Sequence, residues 1–429
     1  MTSHAIRHVR VTPIAFRDPP LLNAAGIHET WALRSIIEIE TDSGLIGINE
    51  SYGDLPMLDA MAKAAPALIG LSPWSLNEMD VRVSALVTPK QTSSEFLGTQ
   101  VSLAPGTHVS KTVAKVVSAF EVAMMDLQGQ LANAPVVDLL GGAARASVPF
   151  SAYLFYKHAE HIERPYAPDP WGEALTPDQL VAQARRMIGE HGFQSIKLKA
   201  GTLPPAHEAD GILALAKAFP GAPLRIDPNG NWTVATSLAI VERLQGVLEY
   251  YEDPAPGLDG MAAVAKACDV PLATNMVVTD FNEFRRNAEM GCPVKIVLTD
   301  HHYWGGLRAT QRLSTMCHTF GLGLSMHSNS HLGISLVAMT HLAASVPLLS
   351  YACDTHYPWQ DDEVVTGGRL RFEDGALPVP TAPGLGVMID REALARLHDN
   401  YLHCGIRNRN DLAQMQKTDP TFTGRQPRF

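Results

Sequence analysis

The sequence has few charged residues and few cysteines for its length. Of its 429 residues, 18% are charged, against about 25% in an average globular protein. A chain that is 46% hydrophobic and so sparsely charged is not disordered as a whole, and it has enough apolar residues for a large buried core. The five cysteines contain no CxxC pair and are odd in number, which argues against a disulfide framework or a cysteine zinc site. Reduced thiols in the cytoplasm are the expected state.

Runs of positive charge and long apolar runs are also missing. The formal net charge is −10, and no stretch of Lys and Arg is typical of a nucleic-acid interface. The N-terminal residues lack the apolar core of a signal peptide. The most apolar stretch, 332–349, contains His341 and Pro347, and it predicts a buried helix rather than a membrane span. We therefore expect neither nucleic acid nor a membrane as a partner.

The first third of the chain has the pattern of strands followed by helices. Residues 1–50 contain β-branched runs on both sides of an Asp-Ser-Gly turn at 42–44. Residues 56–135 have a mostly helical pattern, and apolar residues recur there at steps of three and four. This order predicts an α+β unit over residues 1–140.

From about residue 148 onward, short apolar runs alternate with segments of helix length. There are eight such runs, and eight βα repeats are the number found in a closed parallel barrel. We therefore predict an α/β fold: a (β/α)8-type, or modified TIM, barrel over 141–372, with the N-terminal unit as a cap that is completed by a returning segment, 373–429. An open, doubly wound sheet is the alternative, but no glycine-rich dinucleotide turn supports it.

Polar side chains end seven of these runs, at intervals of 23 to 29 residues. In a βα barrel all strands point their carboxyl ends at one face, which holds the active site. A single polar residue at a strand end has an ordinary explanation, because strand ends meet solvent. The ordered set points to a site at the barrel mouth. Its members are Lys199, Asp227, Glu252, Asn275, Asp300, His327 and His356.

Three successive members of this set carry oxygen ligands. Asp227, Glu252 and Asn275 lack any neighbouring Cys or His ligand, and hard oxygen ligands of this kind suit Mg²⁺. Taken alone, Asp227-Pro-Asn229-Gly is also typical of a turn, and Glu252-Asp-Pro of a helix start. Two carboxylates balance the charge of a divalent cation but leave coordination positions open, and these can hold a carboxylate substrate.

The remaining members are typical of proton transfer. Lys197 and Lys199 are two residues apart on a predicted strand, so both side chains face the same way. Next to one another and to Mg²⁺, their pKa values should fall, because like charges disfavour the charged form, and a lysine with a lowered pKa can act as a general base. Asp300 and His327 end consecutive strands, where a carboxylate can orient an imidazole. A surface position for the lysines and a structural role for the histidine are the ordinary alternatives.

The motifs around these residues resemble those of a known family. In chain order they are DPPLLNAAGIHE, KLKAG, RIDPNGNW, YEDP, ATNMVVTD, LTDHHYW, SMHSNSHLGISLVAMTHLAA and DTHYPWQ. Together they resemble the enolase superfamily over the whole chain, and most closely its glucarate dehydratase group. Asn275 is the most discriminating residue, because many relatives have a carboxylate at this position.

The resemblance implies a role for each residue of the mouth. Mg²⁺ is bound by Asp227, Glu252 and Asn275. Lys199 is the base on one face of the substrate, and His327, paired with Asp300, is the base on the other. Lys197 and Asn229 bind or polarise the metal-bound carboxylate. The implied substrate contacts are His28, Thr107, Tyr153, Ser328, His356 and Arg409, with Arg407 as the alternative to Arg409.

The resemblance also implies a reaction. A hexarate dianion such as D-glucarate or L-idarate loses the proton α to its metal-bound carboxylate, forms an enediolate and loses water, which yields 5-keto-4-deoxyglucarate. Relatives are commonly homo-oligomers, so we expect the same here. Two alternatives remain: a racemase or a dehydratase of another acid sugar, and a catalytically weak relative that assists a partner protein. Departures from the family pattern lie at His301 and at 329–330.

Overall fold

The N-terminal unit is a three-stranded antiparallel sheet covered by helices. We analysed a computed structural model, which describes residues 4–87, 111–162 and 170–429. The sheet has the order β1-β4-β5, and a two-stranded hairpin, β2-β3, lies in the connection from β1 to β4. The elements are β1 (Ile6–Arg17), β2 (Leu22–Asn23), β3 (Gly26–Ile27), β4 (Trp31–Thr41), β5 (Ile46–Tyr52), α1 (Leu55–Ala64), a 3₁₀ turn (Ala65–Leu68), α2 (Leu76–Val87), α3 (Thr112–Ala132) and α4 (Val136–Leu139).

The central part of the chain alternates strands and helices, as its pattern predicts. Seven parallel strands form one sheet in the order β13-β12-β11-β10-β9-β8-β7. The elements are β6 (Ser147–Pro149), β7 (Ser151–Phe155), α5 (Pro177–His191), β8 (Ser195–Lys199), α6 (Pro205–Ala218), β9 (Leu224–Asp227), α7 (Val234–Arg243), β10 (Leu248–Glu252), α8 (Gly257–Ala265), β11 (Leu272–Thr274), α9 (Phe281–Glu289), β12 (Ile296–Thr299), α10 (His301–Trp304), α11 (Leu307–Thr319), β13 (Gly323–Met326) and α12 (Gly333–Ser345).

The eighth predicted strand is not a regular strand. Its residues, 348–356, instead form an extended segment that closes the ring between β13 and β7. On one side Asp354 N donates to Met326 O at 2.9 Å, and on the other Ser151 N donates to Cys353 O at 2.9 Å. The run is long enough for a strand, but only isolated backbone pairings join it to its neighbours, so no regular ladder forms. The prediction of an eighth regular strand was therefore wrong, while the closure of the barrel holds.

Local sequence signals account for two of the helices that border the barrel. Thr176 caps α5 by accepting a hydrogen bond from Gln179 N, and the Gln179 side chain accepts one in return from Thr176 N, which forms a capping box. The apolar stretch at 332–349 forms α12, every residue of which is buried. Among the described residues, no helix has the length and apolar character needed to cross a membrane. All five cysteines are free thiols.

The segment after the barrel touches both units. It contains a 3₁₀ turn (Tyr357–Trp359), β14 (Ala376–Pro378), α13 (Arg391–His403) and α14 (Asp411–Thr418). His398 of α13 donates from Nδ1 to Pro13 O of β1 at 2.7 Å. Gly26 of β3 lies so close to α14 that an added Cβ would be 2.3 Å from Asp411 O, so only glycine fits there.

Other parts of this segment pack on the barrel and not on the cap. β14 pairs with β6, which precedes the first barrel strand. Arg428 N and Phe429 N donate to Asn231 O at 2.9 and 3.1 Å, in the loop that follows β9. Within 373–429, α13 and α14 thus contact the N-terminal unit, while β14 and the final residues contact the barrel.

Candidate active site

The polar strand-end residues meet at one end of the barrel, and all of them are buried. Lys197 and Lys199 lie on β8, and Asp227 and Glu252 are the final residues of β9 and β10. Asn275, Asp300 and His327 directly follow β11, β12 and β13. Each is at most 7% exposed. This burial excludes the surface position that was the ordinary alternative for the two lysines.

Three carboxylates form a compact group. Oxygens of Asp227, Glu252 and Asp253 all lie within 4.8 Å of one another. Asp253 was not among the predicted residues. It accepts hydrogen bonds from the Thr274 hydroxyl and from Asn275 N, the latter at 3.0 Å. Asp253 therefore fixes the loop that carries Asn275, and its position next to Glu252 in the Glu-Asp-Pro motif was the available signal.

Asn275 supplies the observation that best fits a cation. Its Oδ1 is buried and has no hydrogen-bond partner among the described residues. A buried carbonyl oxygen without a partner is costly. Together with the carboxylates of Asp227 and Glu252 it forms an all-oxygen set, which suits a hard divalent cation. The donor chemistry of the three predicted ligands therefore fits Mg²⁺.

Both lysines of β8 are bound to carboxylates. Lys197 Nζ lies 2.7 Å from Glu252 Oε1 and 2.6 Å from Asp354 Oδ2, and Lys199 Nζ lies 2.6 Å from Asp227 Oδ2. Burial lowers the pKa of Lys197, but the charges of Asp354 and Glu252 outweigh it and hold the pKa well above its usual range. In the absence of a cation, the lowering expected from Lys199 is thus outweighed by two carboxylates that contact the ammonium group directly. Asp354 was not among the predicted site residues. It lies two residues before His356, and only His356, the final polar residue of that run, was predicted.

The carboxylates respond unequally to the lysines. Burial alone would raise the pKa of Asp227, but Lys199 and Lys197 lower it below its usual value. Burial and the charge of Asp227 raise the pKa of Glu252 well above its usual range. The same two causes raise the pKa of Asp253 to about 7. Before a cation binds, the group therefore retains protons near neutral pH.

Asp300 lies between two imidazoles. His327 Nδ1 is 3.4 Å from Asp300 Oδ2, whereas His302 Nδ1 is 2.7 Å from Asp300 Oδ1. Burial lowers the pKa of His327, although Asp300 opposes this shift, so the ring is neutral near pH 7. A neutral imidazole can accept a proton. His302 was not predicted, and its only signal was the paired histidines after Asp300.

Two site residues have strained backbones. Asn229 and Asp253 have φ angles of 54° and 37°, in the left-handed region. Such residues cost on the order of 1–3 kcal/mol each and cluster at functional sites; Asn and Asp tolerate the region best. Asn229 N donates to Asp227 Oδ1 at 2.9 Å, and Nδ2 lies 2.7 Å from Met276 Sδ. The strain thus occurs where the loops after β9 and β10 meet the carboxylate group.

Four predicted substrate contacts form a cluster next to Lys197. The rings of His28 and Tyr153 lie 6.3 and 4.8 Å from that of His356. Ser328 Oγ is 3.0 Å from His356 Nδ1. The Lys197 ammonium lies over the Tyr153 ring, 4.6 Å from its centre. The residues that the resemblance implied are therefore adjacent to the buried charges, while Thr107 lies outside the described residues.

Arg409 reaches this cluster indirectly. Its Nε and Nη2 donate to the two oxygens of Asp411 at 2.7 Å, and Nη1 lies 4.0 Å from Asp18. Asp18 in turn lies 3.1 Å from His28 Nδ1. Arg407 instead donates to backbone carbonyls at the end of α13. Of the two arginines, Arg409 is thus the one connected to the barrel mouth.

Comparisons with known proteins agree over the whole chain. Residues 6–141 match the mandelate racemase / muconate lactonizing enzyme N-terminal domain, and residues 179–393 match the family described as enolase C-terminal domain-like. A protein of Streptomyces coelicolor named probable glucarate dehydratase is 48% identical over 421 residues, which are 97% of each chain.

Solved structures show the same agreement. An enolase from Pseudomonas fluorescens, with bound magnesium, potassium and tartrate, has a TM-score of 0.96 and 59% identity, with 100% of both chains covered. One from Thermobispora bispora, complexed with magnesium and formate, has a TM-score of 0.95 and 53% identity at the same coverage. These likenesses confirm the barrel with its N-terminal cap. The chain belongs to the enolase superfamily, as its sequence motifs indicated.

Proposed function

We propose that this protein is a Mg²⁺-dependent acid-sugar dehydratase that converts D-glucarate and L-idarate to 5-keto-4-deoxyglucarate. The observation that carries the proposal is the buried carboxylate group with an unpartnered Asn275 oxygen, flanked by Lys199 and by the His327–Asp300 pair. The name of the 48% identical relative supports the same reaction, and two similar structures contain magnesium.

Asp227, Glu252 and Asn275 are the residues that would hold the cation. Bound Mg²⁺ supplies fixed positive charge beside the substrate carboxylate, where negative charge develops once the neighbouring proton is removed. Lys197 adds a second buried positive charge next to Glu252. Asn229, held in its strained conformation by Asp227, completes this end of the site.

The two bases act from well-separated strands. β8 carries Lys199 and β13 precedes His327, with four strands between them in the sheet. Because His327 directs Nδ1 to Asp300, Nε2 is the nitrogen left to take the proton α to the carboxylate. The electron pair of the broken C–H bond passes into the carboxylate to give the enediolate. When this collapses, His327 returns its proton to the leaving hydroxyl, which departs as water. Lys199 takes the corresponding proton from the C5 epimer.

The reaction is tested with a panel of hexaric and hexonic acids. Purified protein with Mg²⁺ should give a keto acid, detected with semicarbazide, from D-glucarate and L-idarate, and chelation of the metal should abolish the signal. A keto acid from another sugar alone would retain the chemistry and refute the proposed substrate. Deuterium exchange at the α carbon without a keto acid would favour a racemase. No product and no exchange with any acid would contradict the proposal.

Substitution of each base should separate the two substrates. His327→Asn should reduce dehydration of D-glucarate by about 10²–10⁴-fold, because it removes a general base, while α-proton exchange on L-idarate continues. Lys199→Met is the reciprocal variant and should remove exchange on L-idarate while D-glucarate still exchanges. Exchange into D₂O, followed by NMR, measures both activities in one assay. Equal loss of both activities in either variant would contradict the assignment of one base to each epimer.

Binding of Mg²⁺ should weaken as the pH falls. Asp253 has a pKa of about 7, and burial together with the charge of Asp227 also raises the pKa of Glu252 well above its usual range, so protons compete with the cation below neutral pH. For each proton displaced, the apparent affinity should fall by up to about tenfold per pH unit. Calorimetric titration at pH 6, 7 and 8 measures this slope, and Asp253→Asn should make it shallower. An affinity that is constant over this range would contradict the raised pKa values.

A further inference from the structure

Asp300 is anchored from the side opposite the proposed base. Its Oδ1 accepts two hydrogen bonds from His302, one from Nδ1 at 2.7 Å and one from the backbone N at 2.9 Å. Its Oδ2 is left for His327, at 3.4 Å. All three side chains are buried. The shorter contacts to His302 fix where Asp300 presents its second oxygen.

A neighbouring arginine determines which nitrogen of His302 carries the proton. Arg34 Nη2 lies 2.9 Å from His302 Nε2. A guanidinium group can only donate hydrogen bonds, so Nε2 must accept. The proton of the neutral ring is therefore on Nδ1, from which it is donated to Asp300. Ser335 Oγ, 3.0 Å from both groups, accepts from Arg34 and is able to donate to the same Nε2.

The arginine is itself fixed by a buried carboxylate. Glu50 Oε1 accepts from Arg34 Nε at 3.0 Å, and both side chains are almost wholly buried. Glu50 also accepts from Leu332 N at 2.9 Å and from Ser335 N at 3.1 Å, at the start of α12. Arg34 and Glu50 lie on β4 and β5 of the N-terminal unit, whereas Asp300 and His327 belong to the barrel. The hydrogen-bonded chain therefore crosses from one unit to the other.

We infer that Glu50, Arg34 and His302 are positioning residues: they fix His302 as a donor at Nδ1 and thereby hold Asp300 in the orientation that directs His327 at the substrate. Partners of this kind, one step removed from the reacting groups, set ring orientation and tautomer. The N-terminal unit then contributes to proton transfer by His327, and not to that by Lys199, whose partner is Asp227 of the barrel.

The kinetic test uses three variants and rests on the proposed function. His302→Phe keeps the ring and removes the donor, so it should lower the His327-dependent rate on D-glucarate by roughly 10–100-fold with KM unchanged. Exchange on L-idarate should not change. His302→Asn retains an N–H near the Nδ1 position and should recover part of the loss. His301→Phe is the matched control, because His301 is also buried and its ring centre lies 4.0 Å from that of His302, but its Nε2 has no hydrogen bond within the described chain. It should leave both rates unchanged.

A spectroscopic test remains valid whatever the substrate is. In protein with ¹⁵N-labelled histidine and Mg²⁺ present, NMR shifts distinguish protonated from unprotonated ring nitrogens. His302, assigned by its loss in His302→Phe, should be protonated on Nδ1 alone, and its removal should shift the ring signals of His327. If the unmodified protein turns over no acid sugar, the proposed function falls and this spectrum alone decides the inference.

Two results would overturn the inference. One is a His302 ring that is charged or protonated on Nε2. The other is a His302→Phe variant whose effect does not distinguish the two epimers. An equal fall in both rates would indicate a purely structural role for His302, and no change in either rate would indicate no role.

Discussion

The buried ammonium of Lys197 is the interaction on which the barrel mouth depends. A charge without solvent exposure is tolerated only if it is paired and hydrogen-bonded. Lys197 meets this condition through Glu252, at the end of β10, and Asp354, in the segment that closes the ring. The segment that closes the barrel therefore also helps to neutralise the charge of Lys197. Without this segment, Lys197 would lose Asp354, one of its two close partners. The charges also account for the unequal carboxylates, because Asp227 faces both lysines while Glu252 shares Lys197 with Asp354.

The N-terminal unit is bound to this mouth by buried polar contacts as well as by apolar packing. Glu50 accepts hydrogen bonds from the start of α12, and Asp18 accepts from Ser330 at 2.9 Å and from Gln360 at 3.2 Å. Asp18 also contacts His28, whose ring lies against that of His356, and so connects the cap to the predicted substrate contacts. Such contacts tolerate little displacement, because each broken one leaves a buried polar group without a partner. The cap therefore fixes residues of the site in addition to covering them.

The sequence predicted those site residues that can be recognised from their residue type and their position at the end of a strand. Asp227, Glu252, Asn275, Asp300 and His327 follow from the period of the βα repeat, because parallel strands bring their carboxyl ends to one face. Asp354 and His302 could not be found in this way. Asp354 matters through its contact with Lys197, which is distant in sequence. His302 matters because its ring turns back onto Asp300, two residues earlier, and the period of strand ends does not indicate such a local contact.

Two other features depend on tertiary contacts that the sequence pattern does not contain. The pKa of Lys197 was expected to fall beside Lys199 and Mg²⁺, whereas in the absence of a cation carboxylates from across the barrel raise it. The run at 348–356 resembles a strand, but its pairing is limited to a few backbone hydrogen bonds on either side. Short-range pattern locates the residues of this site; their protonation and pairing are set by tertiary contacts.

The central claim is that the oxygens of Asp227, Glu252 and Asn275 form the cation site of this chain. The most direct test is a crystal structure of the protein soaked with Mn²⁺, in which anomalous scattering locates the ion without ambiguity. The account predicts one strong peak at the barrel mouth, within bonding distance of both carboxylates and of Asn275 Oδ1. An ion bound elsewhere, or one that leaves Asn275 Oδ1 without a ligand contact, would contradict it.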